Sequence, residues 1–143
     1  MPQEDCPSPY HRYPARAALL RLTELLHLQP DPYMQDWEVE LADASRVEEF
    51  LDAYVTAQLD DDDRFLLMAM IVASVDEAIS SGVEFGSSWS RAEQLLRRDG
   101  ALHATTLSYW ACGSDPDPDH QFHLTPLIRP IWTDVLRSLH HRE

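Results

Sequence analysis

The densest run of potential metal ligands in the chain is Asp115-Pro-Asp117-Pro-Asp119, followed by His120 and His123 and preceded by Cys112. Carboxylates, imidazoles and thiolates are the common ligands of divalent metals, so the run has to be tested by its spacing. Counted from Asp115, a helix–loop–helix calcium loop needs Gly at its sixth position and Glu at its twelfth, and this chain has His120 and Pro126 there. A structural zinc site needs Cys and His pairs at fixed gaps, and Cys112 has no second Cys nearby. Asp and Pro are ordinary turn formers, so residues 113–120 are expected to be a solvated, turn-rich loop without a metal.

A second constellation is Asp99 with His103, four residues apart within the apolar stripe of one expected helix, with Thr106 on the same side. A carboxylate beside an imidazole can orient a general base, which gives the enzyme reading: a small helical enzyme or metal-assisted hydrolase using Asp99 and His103. A buried polar pair that satisfies its own hydrogen bonds produces the same pattern, and no nucleophile or oxyanion donor completes the chemistry. The serines and cysteines fall in no nucleophile-elbow or redox motif, and four glycines form no phosphate loop. His140 and His141 are expected to be exposed. Met68 and Met70 read as core, as do the four Trp residues. No catalytic residue is assigned and no cofactor is expected.

Charge is the more informative signal. The chain carries 25 acids against 11 bases, a formal charge of -14, and every base is Arg because Lys is absent. Asn is absent too, and the two absences together point to a GC-rich, bacterial coding sequence. Residues 34–63 hold eleven of the acids and one Arg, a local charge of -10. Capping and the helix dipole account for one or two of Asp60, Asp61, Asp62 and Asp63 at a helix start, not for four. On the preceding helix Glu48 and Asp52, and Glu49 and Asp52, form like-charge pairs that each cost about 0.2–0.5 kcal/mol. Glu38 and Glu40 add two carboxylates on the outer side of a nearby extended segment. Stability does not require this density, so these nine acids are the candidate partner-binding surface, and the partner suited to them is a basic protein. An acidic surface repels phosphate backbones and anionic lipid, so neither nucleic acid nor membrane is an expected ligand.

The elements that must position these groups follow from apolar periodicity. Four prolines in residues 1–14 predict a mobile N-terminal arm, ahead of a single helical domain over 15–143. Ala18, Leu19, Leu22, Leu25 and Leu26 recur at helical spacing over Ala15–Leu28, and Pro30 and Pro32 end that helix. Trp37, Val39 and Leu41 alternate with Glu38 and Glu40, as a half-buried strand does; Gln121–Thr125 alternates similarly, so the two form either a short two-stranded ribbon or two extended connectors. Ser45 and Glu48 have capping-box spacing at the start of a helix over 45–58. Asp60 is suited to cap a third helix running to about Ser80, whose run from Phe65 to Val75 leaves almost no polar face, marking it as the buried centre. Ser90 and Glu93 repeat the capping-box spacing, and the apolar register across Gly100 predicts one bent helix to Trp110. Thr125 can cap the last helix with Pro126 at its first position, and Pro130 should kink or delay that helix. The expected architecture is all-α: five helices around residues 65–79, with at most a two-stranded ribbon.

At 143 residues the chain has the size of one domain. The N-terminal residues lack the basic start and apolar run of a secretory signal, and the 11-residue stretch Phe65–Val75 is shorter than the roughly 20 residues of a membrane span. A cytoplasmic protein with Cys6 and Cys112 as free thiols is expected. In size, acidity and helical content the chain resembles the small bacterial proteins that neutralise toxins or regulators by occupying their basic surfaces. That resemblance implies an immunity-type or regulatory binding protein. A homo-oligomer whose acidic surface serves solubility is the remaining alternative.

Overall fold

The computed structural model of the chain describes residues 6–31, 33–34, 37–83, 86–112 and 121–141. Among these, seven α-helices occur and no strand: α1 (Arg16–Leu26), α2 (Trp37–Glu40), α3 (Val47–Thr56), α4 (Asp61–Ser81), α5 (Gly86–Arg98), α6 (Ala104–Trp110) and α7 (Thr125–His140). The all-α class is as the sequence predicts. The count of five helices and the two-stranded ribbon are not. No helix among the described residues is long and apolar enough to cross a membrane. The chain divides into two compact units, Tyr13–Ala92 and Glu93–Glu143 with Met1–Arg12.

In the Tyr13–Ala92 unit, α1, α2 and α3 all pack on α4. Helix α4 buries Phe65 through Val75 without interruption, so its four-sided apolar sequence is matched by neighbours on every side. Asp60 caps it as expected: its carboxylate accepts from the Asp63 N–H at 2.8 Å, and the Asp63 carboxylate reaches back to the Asp60 N–H. At the other end Gly82 takes the left-handed conformation at φ 72°, letting the Val83 N–H bond the Ala78 carbonyl and the Gly82 N–H bond that of Ile79.

The expected strand at Trp37–Leu41 is a short helix. The Leu41 N–H bonds the Trp37 carbonyl at 2.9 Å, so the backbone is satisfied locally and needs no partner strand. Five alternating residues are too few to separate the two periods. The capping box expected of Ser45 and Glu48 does not form either. Asp43 caps the preceding 3-10 turn (Ala44–Arg46), accepting from both the Ser45 N–H and hydroxyl, and its own N–H donates to the Ser74 hydroxyl of α4 at 2.9 Å. Glu48 is thereby left for a different role.

In the second unit α6 packs on α7. The expected bent helix from Ser90 to Trp110 is two helices. α5 starts earlier, at Gly86, placing Ser90 inside it, and ends at Arg98. Residues 99–103 make a tight turn, with the Leu102 N–H on the Asp99 carbonyl, before α6 begins. Thr125 opens α7 but does not cap it; its hydroxyl accepts from the Phe122 N–H and donates to the Trp110 carbonyl at 2.8 Å. Arg129 adds a bond to the Ala111 carbonyl at 2.9 Å. These two side chains satisfy carbonyls that the end of α6 leaves without helical partners. Gln121–Thr125, the other half of the expected ribbon, is accordingly a turn running into α7. Residues 6–12 are fixed by hydroxyls of α6: Ser108 accepts from the Cys6 N–H, and Thr105 from the Arg12 N–H. Cys6 and Cys112 form no disulfide.

Candidate functional site

The nine acids singled out by charge lie on α2, α3 and the start of α4, within the Tyr13–Ala92 unit, and the first three helices of that unit share α4 as a common support. Most of them are held by arginines. Arg21 of α1 donates to Asp63 at 2.8 Å and Asp60 at 3.1 Å. Arg46 grips Glu49 through two nitrogens, at 2.8 and 2.7 Å, while also donating to the Leu26 carbonyl and lying over the Phe50 ring. Arg91 of α5 bridges Glu48 at 2.5 Å and Asp52 at 2.8 Å, and Ser88 donates to Glu48 as well. Arg64 lies 3.4 Å from Asp61. Glu38 and Asp62 are half-buried and Glu40 is exposed.

This pairing divides the nine into two kinds. Asp63 is buried, so its charge is spent on the capping box and on Arg21. Asp60, Glu49, Asp61, Glu48 and Asp52 each keep more than half of their side-chain surface in solvent, from 52% for Glu49 to 68% for Asp61. The Asp63 N–H, with Arg21, holds the Asp60 carboxyl below its ordinary pKa, and Arg46 does the same for Glu49. Like-charge repulsion between Glu48 and Asp52 is offset by Arg91 lying between them, so the arrangement is a set of oriented, exposed carboxylates rather than a diffuse negative cloud.

Sequence reasoning missed the arginines. Arg46 with Glu49 and Arg64 with Asp61 are i,i+3 pairs that helical spacing could have found. Arg21 and Arg91 are separated from their carboxylates by 39 to 43 residues, and only the packing of α1 and α5 brings them there.

Asp99 and His103 are placed differently from a catalytic pair. The turn at 99–103 does bring them together, but Asp99 is chelated by the adjacent Arg98 at 3.1 and 3.0 Å. His103 is fully buried, and burial pushes its pKa down to about 3 against the pull of Asp99. Such an imidazole is neutral and weakly basic at neutral pH. A cleft of about 260 Å³ is bordered by Asp99, Arg97, Gly100 and Asp134, and His103 is not among the residues lining it. Among the described residues no three Cys, His, Asp or Glu side chains group as a metal site. The Asp115–His120 run lies outside the described residues. Cys112 sits within 3.5 Å of the Thr125 hydroxyl, and His123 is exposed.

Comparison with protein-family models, with curated proteins and with solved structures finds no match to this chain.

Proposed function

We propose that the chain is a protein–protein interaction module, of the immunity or regulatory kind, that binds a basic partner through the acidic surface of α2, α3 and the start of α4. The observation that carries this reading is that five carboxylates of one unit are each oriented by an arginine or a backbone cap and still keep over half of their surface in water. Orienting the groups in advance lowers the cost of ordering them on binding, and their combined field speeds encounter with a positive surface. An enzyme built on Asp99 and His103 draws no comparable support, because its base would be buried and neutral and is not among the residues lining the cleft that Asp99 borders.

The test is neutralisation rather than reversal, since an added Arg would face Arg46, Arg64 or Arg91. A variant with Glu49→Gln, Asp52→Asn and Asp61→Asn should retain the helical spectrum. Proteins retained from lysate by the parent chain at low salt are identified, and the purified pair is then reassembled. A basic partner whose affinity falls with rising salt and drops at least tenfold with the variant supports the reading. Equal affinity for parent and variant, or a partner without a positive surface, refutes it.

A further inference from the structure

We propose that the groove between the end of α4 and the first turn of α5 receives an arginine side chain of the basic partner. The inference rests on the acidic-surface reading and gives that surface a point of attachment. The groove has a volume of about 800 Å³, and its walls include Glu48, Ile79, Gly82, Val83, Ser87 and Ser88. That is room for one long side chain and the partner residues on either side of it.

Three features select a cation with an aliphatic stem. The Glu48 carboxylate is fixed by the Ser88 hydroxyl on one oxygen and by Arg91 on the other, and it remains 55% exposed. A carboxylate accepts about four hydrogen bonds, so capacity remains for a further donor. Second, α4 is 21 residues long and has no basic residue in its last turn. Its C-terminal end, the negative pole of the helix dipole, forms one wall, and the opposing positive pole at the first turn of α5 already has Glu48 standing against it. Third, Ile79 and Val83 line the same space, Val83 being 44% exposed, and give a methylene stem apolar surface to cover.

An anion is disfavoured although α5 begins here, because Glu48 already stands against its first turn through Ser88. Arginine is preferred to lysine. Its planar fork can meet the carboxylate with two N–H groups at once, and it is more weakly hydrated.

The groove can be blocked without altering charge. A β-carbon on Gly86 would meet nothing within 4 Å, and Gly86 does not have the positive φ that bars a side chain at Gly82. Gly86 itself lines the groove, so Gly86→Leu adds apolar bulk at its wall without a clash at the β-carbon. The experiment follows backbone amide shifts of the isotope-labelled full chain on titration with N-acetyl-arginine amide at low salt, with the citrulline analogue as the uncharged isostere. Saturable shifts at Ile79, Gly82, Val83, Gly86 and Ser88 are expected, with citrulline at least tenfold weaker. Glu48→Gln and Gly86→Leu should each abolish them with the rest of the spectrum unchanged. Equal shifts with citrulline, shifts spread evenly over Asp60–Asp63 instead of the groove, or groove shifts that persist in both variants would overturn the proposal. If the groove is silent while the neutralised variant of α3 and α4 still loses the partner, this inference falls and the acidic-surface reading stands.

Discussion

Gly100 lies so close to Val135 of α7 that a β-carbon added to it would stand 2.9 Å from both Val135 methyl carbons. The glycine that looked like a tolerated interruption of one helix is the point at which the turn after α5 comes down on α7. Gly100→Ala is expected to destabilise the protein by about 1–3 kcal/mol, the usual cost of forcing a methyl group into a filled core. Thermal melting checks this, and Gly100→Ala combined with Val135→Ala should recover part of the loss, since the second change removes the methyls that clash.

His103 predicts a pH dependence of known sign. Its folded pKa, about 3, lies below the ordinary value near 6.5, so folding favours the neutral ring. The stability it contributes is complete above pH 6.5 and is lost as the pH falls from there toward 3, at up to about 1.4 kcal/mol per unit. Urea unfolding should show roughly 2 kcal/mol less stability at pH 5 than at pH 6.5. In His103→Gln that slope should shrink. The depressed carboxyls of Glu49 and Asp60 act in a separate window, since their contribution is present above their ordinary values and is lost only below about pH 4.

Ser74 is the polar exception within the Phe65–Val75 run of α4, fully buried, with its hydroxyl donating to the Met70 carbonyl at 2.7 Å and accepting from the Asp43 N–H. It pins the turn that leads into α3. Ser74→Ala leaves that N–H without its acceptor and should cost about 1–3 kcal/mol. Hydrogen exchange at Asp43 should accelerate, while exchange in α6 and α7 should not change.

The sequence made the helical class legible through long apolar stripes, and Asp60 legible as a cap because four acids precede an apolar run. It misled wherever two structures share one short pattern. Trp37–Leu41 alternates over too few residues to separate a strand from one helical turn. The register across Gly100 was continuous in type, yet the chain turned there because a residue without a β-carbon allows the close approach to Val135. Ser45 and Glu48 had the spacing of a capping box, but Asp43 offered the Ser45 backbone a nearer acceptor and Glu48 found Ser88 and Arg91 across the fold. The acidic surface itself was visible as a charge count. Its organisation was not, because Arg21 and Arg91 are distant in sequence from the carboxylates they orient.

On the proposed reading, α2, α3 and the start of α4 are the face presented to a basic partner. Hydrogen exchange of the full chain, alone and with the purified partner at low salt, tests it most directly. Slowed exchange on complex formation is expected in Trp37–Glu40, Val47–Thr56 and the first turn of α4, with the protection weakening as salt is raised. Protection confined to α6 and α7, or protection in α2 and α3 that is indifferent to salt, would contradict it.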